Sequence, residues 1–542
     1  MISKQFFSTI LIVAISATIY GQDRHDSEFR ESCTSIMVGR KASADGSVIT
    51  SHTCDGRYRT WMDISPAKKH KKGDVTRIFQ GLMFTETPND TVGFNGVSPA
   101  VHDFEVALRV RGEIPESEET YAFLNTAYPC LNEKNLAIGE TTIEGRDELV
   151  NENGLFYIEE LERIALQRCT TAREAIALMG ELVKEYGYAD IGECLTVADK
   201  NEVWHFEIFG EGPDKIGGVW AAQRIPDNHV GVSANIPRIG ELNPADKDYF
   251  MVSENVFDVA KKMGFWDGKS TFKFWKAYSD KKPFDIREWF VLSSLAPSLN
   301  LLMEADELPF SVKPEKPVSV RDVLAFFRST YEGTAYDMTK NLLVTKKKKD
   351  SEETETVKSP YANPWFSREM IDLLNGLKDS TIVRVRPIAV PQCAYGHVIQ
   401  IRGYLPDEIA GIAYLLNDNP GQSPHVPFYF HILQTPQIYH ASGHKRYMPD
   451  TSGWIYRRTN KLATIRWQES RVKLEQLRDF IEDKLFAEQS IVDAEALKIL
   501  KEKGKPACQE YLTQYVNTFS EEAANEWWKL GDELWYTFIR GL

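Results

Sequence analysis

The sequence lacks the signatures that announce most hydrolytic and nucleotide chemistries. It contains no H-E-x-x-H, no paired C-x-x-C, no phosphate-binding glycine loop and no G-x-S-x-G elbow. Zinc-peptidase, nucleotide-binding and serine-esterase readings lose their usual support, and neither a metal nor a cofactor is expected. Positive charge is also short, with 64 Lys and Arg against 78 Asp and Glu and a formal net charge of −14. Phosphate backbones need clustered cations, so nucleic acid is not an expected partner. Cysteine is sparse: seven residues, widely spaced, propose no disulfide framework, and their odd number leaves at least one unpaired. They serve equally as buried thiols that pack like small apolar side chains.

Long apolar runs are missing except at the start. Lys4 supplies a positive end, Phe6 to Ile19 an apolar stretch and Gly21 a small residue, so residues 1–21 read as a secretory signal. The run is too short and too interrupted by Ser and Thr for a stable membrane span. Residues 22–32 form a polar spacer, and the chain is expected to be periplasmic or extracellular. The remaining composition, 42% hydrophobic and 26% charged, is ordinary for a globular protein. It suits one large body with additions, here residues 33–542.

What is present begins at Cys33, in the stretch CTSIMVGRKASADGSVITSHTCD. An alternating apolar run followed by Asp45-Gly46 predicts a β-hairpin that opens with a cysteine. If Cys33 becomes the first residue of the mature chain, it carries both halves of a catalytic pair. Its thiol attacks, and its α-amine, with a pKa of about 8, serves as base near neutral pH.

Further along, strands are predicted around Phe104 to Val110, Leu136 to Ile143, Leu195 to Ala198, Val203 to Phe209 and Val219 to Gln223. Between them, Leu155 to Ala165 has helical spacing, and Thr171 to Glu174 forms a capping box for a second helix. Asp246 to Phe327 reads as mainly helical, and Ile382 to Arg402 as strands. The charge block KKKKDSEETE predicts an irregular surface loop near 345–358, and Leu474, Leu477, Phe480, Ile481 and Leu485 mark an amphipathic helix within a helical extension over 467–542. Strands and helices in this order indicate an α+β fold, with two sheets between helical layers.

The opening segment resembles the start of the C69 dipeptidases, a branch of the N-terminal-nucleophile hydrolases related to penicillin V acylase and bile salt hydrolase. CLNEKNLAIGETTI from Cys130, VGVSANIPRIGEL from Val230, YEGTAYDMTKN from Tyr331 and RPIAVPQCAYGHVIQIR from Arg386 extend the resemblance in the family's order. It implies a four-layer αββα sandwich with additional helical segments, and a thiol enzyme acting on dipeptides or short peptides through a thioester. It also implies Cys33 as nucleophile, Asp55 as the carboxylate that orients its amine, and Asn132 and Asn235 as oxyanion donors. Each has a plainer reading: a structural thiol, a turn aspartate before Gly56, and asparagines that support turns.

His52 departs from the family, many of whose members carry an arginine there. Its ordinary pKa of about 6.5 predicts a charge change within the working range. Arg386 is a candidate for binding a substrate carboxylate or bracing the thiolate, with pairing to an acidic neighbour equally open. Glu140, beside Thr141, is a candidate for holding a substrate amine. Two other functions fit the same chain: an acylase-type hydrolase of non-peptide amides, and a non-catalytic exported binding protein. A homo-oligomer is compatible with all three.

Overall fold

The computed structural model describes residues 32–89, 107–443 and 446–541. The export signal expected over 1–21, the spacer as far as Glu31, and the start of the strand expected from Phe104 lie outside the described residues.

The chain is α+β and is built on two antiparallel sheets. The first has seven strands in the spatial order Ser311–Val312, Val230–Ser233, Ser35–Val38, Val48–Asp55, Cys393–Ile401, Gly411–Asn417 and Val426–Tyr429. The second has eight, in the order Phe250–Val252, Gly218–Arg224, Val203–Gly210, Glu193–Ala198, Ala137–Thr142, Leu131–Asn132, Phe123–Asn125 and Asp63–Ser65. The hairpin expected after Cys33 forms, and Gly46 takes the positive φ of 81° that its turn demands.

The sheets face each other where Val48–Asp55 meets Ala137–Thr142 and Glu193–Ala198. Small and hydroxyl side chains line this seam. Thr50 Oγ1 lies 2.5 Å from Thr196 Oγ1, Thr141 Oγ1 lies 2.5 Å from Ser233 Oγ, and Ser35 Oγ donates to Glu140 O over 3.3 Å. A Cβ on Gly139 would fall 2.5 Å from Ser51 O, so only glycine permits so close an approach.

The main apolar clusters lie on the sheets' outer faces. Helices Ile158–Arg168 and Ala172–Tyr186 cover the second sheet, the latter opened by the predicted Thr171 and Glu174 capping box. Helices Ile286–Leu295 and Val320–Phe327, together with Ser452–Ile465, Trp467–Lys503 and Lys505–Thr537, cover the first. The last two are the helical extension, whose buried Leu474, Ile481, Leu512, Val516 and Trp527 join the core. Among the described residues no helix is long and apolar enough to cross a membrane.

Two expectations change. The charge block near 345–358 is not an irregular loop: Leu343–Lys347 pairs with Thr354–Lys358 as an exposed hairpin. Opposite charges face each other across it, Lys346 with Glu355, which favours pairing over fraying. The segment from 246 to 327 is less helical than expected, because Phe250–Val252 adds a strand to the second sheet and its helices Val256–Lys262 and Phe274–Tyr278 are short.

Candidate active site

Strand register sets the site. Thr34 bridges Thr53, and the Thr34 N–H donates to Thr53 Oγ1 over 2.9 Å, so Cys33 sits at the strand end beside Cys54 and Asp55. Asp55 in turn stands opposite Cys393 on the next strand. Cys33 and Asp55 are both buried.

Two arginines grip this strand end. Arg386 Nη2 donates to Asp55 Oδ2 at 2.7 Å and to the Ser32 carbonyl at 2.6 Å, while its Nε donates to Ser32 Oγ at 2.9 Å. Of the uses foreseen for Arg386, pairing with an acidic neighbour is the one the structure contains. Arg287 Nη1 donates to the Cys33 carbonyl and to Asn235 Oδ1, each at 2.9 Å, and Nη2 donates to Ala234 O at 2.8 Å. Asp285 fixes Arg287 by capping helix Ile286–Leu295 and by accepting from the guanidinium at 3.0 Å. Burial alone would lower the Arg287 pKa, but Asp285 and Glu288 more than offset it, so the cation is secure.

Burial pushes the Asp55 carboxyl above the usual carboxylate range, opposed by Arg386 and by the Cys393 thiol. The Cys33 thiol is pushed well above its ordinary value, first by burial and then by Glu140, Cys54 and Asp55. With Ser32 attached, the sulfur is a protonated, sheltered thiol.

His52 and Glu140 complete the cluster from two other strands. A ring nitrogen of His52, the Cys33 sulfur and a Glu140 oxygen all lie within 4.8 Å of one another. His52 Nδ1 is 2.5 Å from Glu140 O and 3.8 Å from Glu140 Oε2. Thr142 Oγ1 donates to Glu140 Oε1 at 3.0 Å, and Glu193 is driven toward its protonated form by burial and then by the Glu140 charge. The expectation that His52 changes charge in the working range is corrected here. Burial between Tyr128, Tyr395 and His397 lowers its pKa to about 4, so the imidazole is neutral near pH 7. Positive charge comes instead from Arg287 and Arg386.

The two asparagines part company. Asn235 adopts a φ of 63° after strand Val230–Ser233, gives one amide hydrogen to Thr142 O at 2.7 Å and is held by Arg287 beside Cys33. Asn132 does not fit its expected role as oxyanion donor. Both its amide hydrogens go to carbonyls, Leu166 O at 2.8 Å and Cys169 O at 2.9 Å, and its oxygen accepts from Lys134 N and Leu136 N. Its amide braces a tight turn against a helix end and has no donor left.

Arg287 and Glu193 were not foreseen. The D-x-x-E box at Asp285 marks a helix start, but nothing in the sequence ties that helix to a cysteine more than two hundred positions earlier.

Residues 32–479 match the family model described as Peptidase family C69, which covers most of the chain. The chain belongs to peptidase family C69. Membership makes it a hydrolase, and the match opens one residue before Cys33. Among similar proteins, a probable dipeptidase of Latilactobacillus sakei is 27% identical over 415 residues, 75% of this chain and 76% of that protein. A probable dipeptidase of Salmonella dublin is 26% identical over 416 residues, covering 73% and 80% respectively. Dipeptidase A of Lactobacillus helveticus is 21% identical over 431 residues, covering 76% and 77%. All seven cysteines of this C69 chain are free and buried.

Proposed function

We propose that this C69 chain is an exported dipeptidase whose nucleophile is Cys33, freed as the N-terminal residue by removal of everything before it. The observation that supports this most is the grip of Arg386 and Arg287 on the carbonyls of Ser32 and Cys33, with Asp55 beside them. A structural thiol needs no such apparatus. The frame implied is the αββα sandwich of N-terminal-nucleophile hydrolases, and two facing sheets with helices outside fit it.

In this reading the freed α-amine takes the thiol proton, and Asp55 holds the resulting ammonium. The thiolate attacks the substrate's carbonyl carbon. Asn235, with one amide hydrogen uncommitted to Thr142, donates to the oxyanion, a contribution of about 2.7–4 kcal/mol for one such donor. The ammonium then protonates the leaving amine as the C–N bond breaks and the thioester forms. Water, giving its proton to the amine, attacks the thioester and regenerates the thiol. Glu140, steadied by Thr142 and flanked by Glu193, which burial drives toward its protonated form, suits the free amino end of a dipeptide, and the dipeptidase names of the relatives favour that substrate.

Intact-mass measurement of the exported protein, with turnover assayed on dipeptides and on acyl amides, tests the reading. A chain starting at Cys33 that prefers dipeptides is expected. An active form that retains Ser32 would sink the mechanism, and a preference for acyl amides would move the substrate class.

A further inference from the structure

We propose that Cys33, His52 and Glu140 form a binding site for a thiophilic divalent cation, Zn2+ by the chemistry of the donors, whose occupancy takes the nucleophile out of use. Sulfur, imidazole and carboxylate are the three protein ligand types zinc prefers. Here they converge from the segment just before strand Ser35–Val38 and from strands Val48–Asp55 and Ala137–Thr142, with ligand atoms within 4.8 Å of one another and all three side chains buried. Neighbouring ligands in a tetrahedral zinc shell stand ~3.5 Å apart, so small side-chain rotations close the gap.

The imidazole supplies an independent pointer to a ligand. Its Nδ1 sits 2.5 Å from the Glu140 carbonyl, the backbone contact that orients metal-binding histidines. In the tautomer that donates from Nδ1 to that carbonyl, the shorter contact beside the 3.2 Å one from Glu140 N–H, Nε2 keeps a bare lone pair in a fully buried ring, without a hydrogen-bond partner among the described residues. A cation satisfies it. As it binds, the thiol proton leaves to solvent, and the thiolate and the Glu140 carboxylate together balance the double charge.

The fourth ligand rests on the proposed function: a freed Cys33 amine would close a five-membered ring with its own sulfur on the metal. The first three donors do not depend on that reading. Chelation would then relieve inhibition rather than cause it.

The test uses the full exported protein, stripped with EDTA, with Co2+ as a spectroscopic stand-in for Zn2+. One equivalent of Co2+ should raise a near-ultraviolet sulfur-to-cobalt band, which Zn2+ displaces and Cys33→Ser removes. His52→Gln and Glu140→Gln, confirmed folded by circular dichroism, should each weaken Zn2+ binding at least tenfold in calorimetry. Bound Zn2+ should slow alkylation of Cys33 and suppress dipeptide turnover, with EDTA restoring both. No stoichiometric band in wild type, or Zn2+ binding unchanged in both variants, overturns the site. Because band and calorimetry need no substrate, a protein that binds Zn2+ yet cleaves no dipeptide overturns the proposed function and leaves this site standing.

Discussion

One nitrogen of Arg386 serves both the Asp55 carboxylate and the carbonyl of Ser32, at 2.7 and 2.6 Å. The residue that neutralises the buried acid thus also holds the peptide bond that the proposed maturation would break to free Cys33. Arg386→Ala should fail twice. It leaves Asp55 uncompensated, lowering stability by about 3–5 kcal/mol, and it slows removal of Ser32. Urea unfolding and intact mass read the two effects separately, and a variant of normal stability would show that Asp55 does not need its partner.

Cys33→Ala should abolish turnover while the protein stays folded, because alanine fits a strand end with little packing loss. Circular dichroism beside a dipeptide assay checks this. Retained activity would place the nucleophile elsewhere.

The two asparagines give opposite signatures. Asn235→Asp, which keeps the left-handed backbone but loses the donor, should cut kcat by about 100- to 1000-fold with near-normal stability. Asn132→Ala should do the reverse, costing about 1–3 kcal/mol as two carbonyls and two N–H groups lose partners, with kcat per folded molecule little changed. Equal loss of kcat in both would restore Asn132 to the catalytic set.

Restoring the family's arginine at position 52 should harm the protein. The imidazole is wholly buried against His397, Tyr128 and Tyr395, and a larger group there must find room and be desolvated, with the Glu140 carboxylate as its one nearby counter-ion among the described residues. His52→Arg should lose about 2–4 kcal/mol of stability along with activity. A thermal melt at or above that of wild type would contradict this.

Acid should weaken the attachment of the helical extension. Glu482, on helix Trp467–Lys503, accepts from Arg328 and from the backbone and ring of His425. Burial alone would raise its pKa, but these partners more than offset that and hold it at about 2. A depressed carboxyl contributes stability that is full above its unfolded pKa and is lost as pH falls through the folded one, here between about 4.5 and 2. The contribution is on the order of 3 kcal/mol. Glu482→Gln should be less stable than wild type at pH 6 by urea unfolding and should lose less between pH 6 and pH 3. Parallel pH curves would show that the pair carries none of the acid sensitivity.

Local signals in the sequence carried over well. The Asp45-Gly46 turn folds the segment after Cys33 back so that Asp55 returns beside it, and both the Thr171 capping box and the period of Leu474 to Leu485 mark real helices. What could not be read is how distant elements converge. Arg287 reaches Cys33 only because helix Ile286–Leu295 packs beside strand Val230–Ser233, and the burial of His52 depends on His397 facing it from Cys393–Ile401. Asn132 has the motif context of an oxyanion donor, but the arrival of the helix end at Leu166 and Cys169 claims its amide.

Strand Val426–Tyr429 ends the first sheet, yet it is buried throughout, with Tyr429 tied to Asp493 of one long helix and Leu433 N bound to Thr513 of the other. The opposite margin is the two-residue Ser311–Val312, and the second sheet's end strands have three residues each. A row of open amides long enough to template another chain is therefore missing from both sheets. Among the described residues, strand addition at the margins of these two sheets is thus disfavoured, and long open strand edges are left instead to the small separate hairpins such as the exposed Leu343–Lys347 with Thr354–Lys358.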